Sequence, residues 1–212
     1  MAWQGTCAIL EEFPNVEVAV GLHPELVETR HGEVSQFAAL LSETQYVGEI
    51  GLDGSGPNRA SLNLQRDVFE GILSACESVG GRIMTIHSRA AASLVLNHLA
   101  DHRKSGVPVL HWFSGTQTEL KRAVEIGCWF SVGPAMLRGS KGRRLASQMP
   151  IDRVLTETDG PFGRRGNRPL MPWNVDEAEV ELGKLWRLPV TTVRRRLTGN
   201  LQNLRGFTVR KR

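Results

Sequence analysis

Short β-branched runs and longer stretches of helical apolar spacing take turns along the chain. Residues 16–22 (VEVAVGL) predict a strand closed by His23-Pro24. Residues 26–42 follow with Val34, Phe37, Ala38 and Leu41 at helical spacing. Residues 46–52 (YVGEIGL) predict a second strand. Residues 62–78 place Leu64, Val68, Ile72, Leu73 and Ala75 on one helical stripe, and Gly80-Gly81 stops it. Residues 82–86 predict a third strand leading into His87, residues 90–99 a helix, and residues 107–110 a strand leading into His111. Ser114 or Thr116 can cap a helix over residues 119–126. Residues 128–132 and 153–156 complete six strands, the last leading into Glu157-Thr158-Asp159. Residues 175–203 read as two helical pieces broken around Pro189, and residues 209–212 as a frayed basic tail. Alternation of this kind predicts an α/β fold, a parallel sheet with helical crossovers, and nothing marks a second domain within 1–212.

Composition narrows the class. With 41% hydrophobic and 23% charged residues the chain is globular rather than disordered. No apolar run approaches a membrane span, and residues 1–30 lack the regions of a signal peptide, so the expected compartment is the cytoplasm. Cys7, Cys76 and Cys128 are widely spaced, which excludes a disulfide scaffold and a cysteine-type zinc site. Charge is unevenly spread. Residues 1–100 hold 5 Lys+Arg and 12 Asp+Glu, residues 101–212 hold 21 and 10. The second half therefore suits a polyanionic partner.

The residues able to bind metal fall at strand ends. His23 ends GLH, Glu49 and Asp53 lie in and just after YVGEIGLD, His87 ends TIH, His111 ends VLH and Asp159 ends LTETD. In a parallel barrel the carboxyl ends of the strands share one face, where barrel enzymes work. Carboxylates with imidazoles are the ligands of a hydrolytic divalent-metal site. Two Arg-rich segments, 138–144 and 163–168, are expected as loops on that face, with Arg143, Arg144, Arg164 and Arg165 against a phosphate backbone. Arg89 is a candidate phosphate clamp. Trp112, Phe113 and Trp129 offer rings for stacking bases, with core packing as the alternative. Each lone His or Asp also has a plainer reading as a hydrogen-bonded strand-end residue, so the coincidence of several carries the argument. GxGxxG, P-loop, HExxH and GxSxG motifs are absent.

These segments resemble the TatD family of metal-dependent deoxyribonucleases. The resemblance runs through Gly21-Leu22-His23-Pro24, Val47-Gly48-Glu49-Ile50-Gly51-Leu52-Asp53, Gln65 with Phe69, and Ile86-His87-Ser88-Arg89. It continues in His111-Trp112-Phe113-Ser114-Gly115 and Leu155-Thr156-Glu157-Thr158-Asp159-Gly160-Pro161-Phe162. Trp112 together with segments 131–137 (SVGPAML) and 168–173 (RPLMPW) is similar to the TatD-type nucleases of the Qat anti-phage defence system. The resemblance implies a TIM barrel that cleaves DNA phosphodiesters, typically as an exonuclease, with two divalent ions (Mg, Mn or Zn). It implies Glu49 as a bridging ligand, His87 and His111 on one metal and Asp159 on the other. Asp159 and Glu49 are then catalytic. His23 and Arg89 line the substrate site, Asp53 supports a ligand from behind or orients water and is counted with the substrate-binding residues, and Gln65 with Phe69 is structural. DNA, single-stranded or at ends, is the implied partner, alongside other Qat proteins.

One family feature has no counterpart here: a first strand carrying His-x-His. Six strands stand where the barrel needs eight, so the resemblance implies that the first two strands, roughly 40–50 residues, are missing. Two rival readings follow. One is a metal hydrolase of small cyclic amides or esters on the same barrel. The other is a truncated, non-catalytic remnant that binds nucleic acid or a partner.

Overall fold

A computed structural model describes residues 2–207, the Ala2 side chain excepted. The basic tail at 209–212 lies outside the described residues. The chain divides after Pro108 into two compact units. The first holds α1 (Ala2–Leu10), α2 (Val27–Arg30), α3 (Val34–Leu40), β1 (Tyr46–Gly51), α4 (Leu62–Ser78), β2 (Arg82–His87) and α5 (Ala92–Asp101). Strand β3 (Gly106–His111) begins there and ends in the second unit. The second unit continues with α6 (Gln117–Ile126), β4 (Trp129–Val132), α7 (Pro134–Arg138), α8 (Ser140–Ala146) and β5 (Val154–Thr156). A small hairpin, β6 (Arg164–Arg165) and β7 (Arg168–Pro169), precedes α9 (Asp176–Trp186) and α10 (Val190–Arg205).

Strands β1 to β5 follow one another in chain order in a parallel sheet, with helices between them. This is the α/β class expected, and it agrees with a (β/α) barrel lacking some of its eight strands. The apolar stripe of α4 buries Val68, Phe69, Ile72 and Leu73 in the first unit, together with Ile50, Met84 and Ile86 from the strands. In the second, Leu110, Phe113, Phe130, Val132 and Val154 form the core, with Phe113 and Phe130 edge to face at 6.0 Å. Thr116 and Glu119 form a full capping box that starts α6.

Two expected elements differ. Residues 16–22 do not make a full strand: only Val20 bridges to Val47. The Val18 carbonyl is instead taken by the Thr44 hydroxyl (3.2 Å) and the Trp3 indole N–H (3.4 Å), so side chains replace a ladder. Five strands therefore stand in the sheet where six were expected. The helix over 26–42 is broken into α2 and α3 by a tight turn at His31–Glu33. Gly32 sits in that turn, and glycine costs about 1 kcal/mol in a helix interior. The apolar spacing survived the break because both pieces bury the same side, with Val27, Phe37, Leu40 and Leu41 inside.

Candidate metal sites

In the first unit the site is built on a slip in β1. Tyr46 and Val47 pair with Ile83 and Met84, whereas Ile50 and Gly51 pair with Ile86 and His87. Gly48 and Glu49 thus share one place opposite Thr85, a bulge that re-aims the Glu49 side chain. Gly48 is required there, since a Cβ would lie 2.9 Å from the Thr85 Cβ. Gly21 is required beside it: a Cβ there would collide with the Gly48 carbonyl carbon. That close approach lets the turn after Val20 deliver His23 to Glu49.

His87, at the end of β2, stands between two carboxylates. Its Nδ1 lies 2.9 Å from Glu49 Oε1 and its Nε2 2.9 Å from Asp53 Oδ2. Asp53 is fully buried, and its other oxygen accepts both the Ser55 N–H (2.7 Å) and the Ser55 hydroxyl (2.6 Å). Burial opposes ionisation of Asp53, but the Ser55 donors and His87 outweigh it and hold its pKa below the usual value. Gln65 on α4 fixes the backbone beneath. It accepts the Asp53 N–H (2.7 Å) and donates to the Asp53 and Asn58 carbonyls (3.2 and 2.8 Å). Asp53 therefore lies under His87 and is not exposed to a substrate. Its geometry is that of a carboxylate fixing a histidine's proton on one nitrogen so that the other can ligate.

For His87, burial favours the neutral ring, but Glu49 and then Asp53 prevail and raise its pKa. An imidazole between two carboxylates needs a cation on each nitrogen. Asp53 is matched by the Nε2 proton; the Nδ1 side facing Glu49 calls for a second proton or a metal. His23 stands 3.9 Å from Glu49 through Nε2, with its ring 4.9 Å from that of His87. One ligand atom from each of His23, Glu49 and His87 can be chosen so that all lie within 4.8 Å of one another. The nitrogen and oxygen set fits a divalent cation. Of the three, His23 is the odd member. Its Nδ1 accepts the Glu25 N–H (3.2 Å), and burial, against the pull of Glu49, lowers its pKa. A neutral His23 therefore carries its proton on Nε2, toward Glu49, as a donor.

The second unit repeats the pattern at the end of β3. His111 Nδ1 lies 2.5 Å from Glu157 Oε2, and its Nε2 lies 3.5 Å from Asp159 Oδ1. Glu157 also accepts the Ser131 hydroxyl and the Trp112 N–H (3.1 Å). Trp112 and Asp159 have φ of 36° and 53°, left-handed values that an ordinary residue holds only when its surroundings enforce them. Glu157 was not among the residues singled out as ligands. Its signal was the Glu-x-Asp spacing, which puts 157 and 159 on one side of an extended chain.

The remaining expected site residues divide. Arg89 is exposed in the segment after β2, where its carbonyl accepts the Gly54 N–H (2.9 Å). Segment 138–144 is not a loop but the end of α7 and most of α8. Arg143 there donates to the Leu137 and Arg138 carbonyls (2.9 Å each), closing α7, while Arg144 is exposed. Arg164 is exposed on the hairpin, and Arg165 is paired with Glu177. Phe113 is 1% exposed, which removes it from base stacking.

Known proteins are similar to this chain in sequence and in fold. The family model described as TatD related DNase matches residues 1–206. An uncharacterized metal-dependent hydrolase, YjjV of Escherichia coli, is 30% identical over 76% of this chain and 67% of its own length. Human deoxyribonuclease TATDN3 is 29% identical over 61% of this chain and 48% of its own. Bacillus subtilis YabD, also an uncharacterized metal-dependent hydrolase, is 26% identical over 73% of this chain and 62% of its own. The chain thus spans about half to two thirds of these relatives. The crystal structure of Escherichia coli YjjV, a TatD homolog, superposes with a TM-score of 0.85 at 25% identity, covering 95% of this chain and 81% of that one. An uncharacterized amidohydrolase from Saccharomyces cerevisiae shares the fold, with a TM-score of 0.77 at 14% identity, covering 95% of this chain and 85% of that one.

Proposed function

We propose, on the premise that the chain belongs to the TatD-related DNase family, that it is a metal-dependent hydrolase of DNA phosphodiester bonds. The observation that carries this reading is His87 held between Glu49 and Asp53 at 2.9 Å on both nitrogens. Such an arrangement is balanced by a cation on the Glu49 side. The first unit offers Glu49 and His87 as ligands, with His23 close by; the second offers His111 and Asp159. Two divalent ions, Mg, Mn or Zn, are the proposed cofactors. When bound they supply Lewis acidity toward a phosphoryl oxygen and a more acidic water.

The protein's own groups do the rest. Asp53 and Glu157 hold the protons of His87 and His111 on the nitrogens that face away from Glu49 and Asp159. Asp159 orients the attacking water and takes its proton. The water oxygen forms the new bond to phosphorus, one P–O ester bond breaks, and the leaving oxygen takes a proton from solvent. His23, with its proton on Nε2, and Arg89 are proposed donors to the non-bridging oxygens. Arg144 and Arg164 are proposed backbone contacts, because both are exposed and cationic. Human TATDN3, named a deoxyribonuclease, supports the choice of substrate.

The resemblance of segments 111–115, 131–137 and 168–173 supports a place in anti-phage defence, with other Qat proteins as partners and the cytoplasm as compartment. No helix among the described residues is long and apolar enough to cross a membrane. The test is metal-titrated cleavage of end-labelled DNA. Wild-type protein is expected to degrade it only with divalent metal, and Asp159→Asn to leave it intact. Equal rates for the two proteins overturn the assignment.

A further inference from the structure

The exposed aromatic side chains of the second unit gather on one small element. Phe162 is 83% and Trp173 70% exposed, at the two ends of the segment that carries the β6–β7 hairpin. Pairing of Arg164 with Pro169 and Arg165 with Arg168 sets the register, and the Leu170 N–H to Gly163 carbonyl bond (2.8 Å) extends it. Alternation then puts Phe162, Arg164, Pro169 and Met171 on one face, and Gly163, Arg165, Arg168 and Leu170 on the other. Burial agrees over part of it. At the root Leu170 is 2% exposed and Gly163 is buried, whereas Met171 is 41% exposed; toward the tip Arg165, tied to Glu177, and Arg168 are exposed. The hairpin is fastened at its root: the Gly163 N–H meets the Asp159 carbonyl (2.5 Å), and Arg138 donates to the Arg164 carbonyl (2.5 Å). Among the described residues Arg164 and Arg168 have no acidic partner.

Packing explains Gly163 and Leu170 on the inner face, while Phe162, Arg164, Pro169 and Met171 on the outer one are all exposed. Two solvent-facing rings at the ends of this segment, which begins three residues beyond Asp159 and carries the Arg164 guanidinium on its outer face, have a definite chemical complement. It is a planar, uncharged ring next to an anion, which is a nucleobase and its phosphate. We propose that Phe162 and Trp173 form a stacking platform for unpaired bases of single-stranded DNA, with Arg164 on the adjoining phosphates. Paired bases in a duplex hide their faces, so the platform selects single strands or frayed ends. The inference rests on the nuclease reading and assigns a base-binding subsite to it.

The test is fluorescence anisotropy of a labelled oligothymidylate with the full chain, in EDTA so that no cleavage intervenes. Phe162→Ala and Trp173→Ala each weaken binding about fivefold to a hundredfold. Trp173→Phe, which keeps a ring, restores most of it. A strand of abasic sites keeps the phosphates and lacks the bases; it binds the wild type weakly, and the alanine variants do not change that. Arg164→Ala lowers the salt slope on both strands by about one. Wild-type protein that holds both strands equally, or alanine variants that bind like wild type, overturn the platform. If metal-dependent cleavage persists in that case, the nuclease reading stands. A chain that neither binds nor cleaves any strand overturns both. Capture of a protein in place of DNA by the same rings also overturns the platform.

Discussion

His87 and His111 solve one problem with opposite nitrogens. His87 turns Nε2 to its supporting carboxylate and leaves Nδ1 toward Glu49, whereas His111 turns Nδ1 to Glu157 and leaves Nε2 toward Asp159. Both supporting carboxylates also accept a serine hydroxyl and a backbone N–H. The serine of Asp53 is two residues away, Ser55, while that of Glu157 comes from another strand, Ser131 on β4. Asp53 is further braced through its backbone by Gln65, and Glu157 braces the backbone of Trp112. What recurs is the electrostatic arrangement: an imidazole whose proton is fixed on one side so that its lone pair is presented on the other. The nitrogen used is set by the direction from which the carboxylate arrives.

The largest expected effect separates facing carboxylates from supporting ones. Glu49→Gln and Asp159→Asn each lower DNA hydrolysis by at least about a thousandfold, well beyond the roughly 10- to 100-fold typical of an outer partner. Steady-state rates on labelled DNA check it, and a smaller loss would merge the two classes. Next, Asp53→Asn and Glu157→Gln each weaken divalent-metal affinity about 10- to 100-fold. Isothermal titration with Mn²⁺ measures this, and a loss in only one would break the equivalence of the two histidines. Gln65→Ala acts through the fold instead. It strands the buried Asp53 N–H and lowers stability by about 1–3 kcal/mol, seen in urea denaturation. The smallest effect separates two neighbouring arginines. Arg144→Ala reduces the salt slope of DNA binding by about one, while Arg143→Ala leaves that slope and lowers the melting temperature, because its guanidinium closes α7.

Much of this was legible in the residues, for identifiable reasons. Strand ends were marked by His and acidic residues within or after β-branched runs, so His23, Glu49, Asp53, His87, His111 and Asp159 stood out as candidates from the pattern, while their separate roles came only from the family resemblance. The slip in β1 was not foreseen, although Val47 and Ile50 are three apart in a strand and Gly48 stands between them. Strict alternation would have kept them in opposite phase, and both are buried. Segment 138–144 was misjudged because Arg and Ser suggested a solvated loop. Its helix is anchored by Met136, Leu137, Leu145 and Ala146, which flank the cations on the buried side. The partial strand at 16–22 shows the limit of local pattern. Its β-branched residues favour extension, but what pairs with an extended chain is decided by side chains distant in sequence, Thr44 and Trp3.

Glu157 has a consequence beyond catalysis. It follows β5 and holds His111 at the end of β3, the amide of Trp112 and the hydroxyl of Ser131 on β4. Three neighbouring strand ends thus close on a single anion. Displacing Glu157 strands the His111 ring, the Trp112 N–H and the Ser131 hydroxyl together, so release of the segment after β5 opens this rim as one cooperative unit. In amide hydrogen exchange the ends of β3, β4 and β5 would then share one opening free energy, and Glu157→Gln would lower it for all three together.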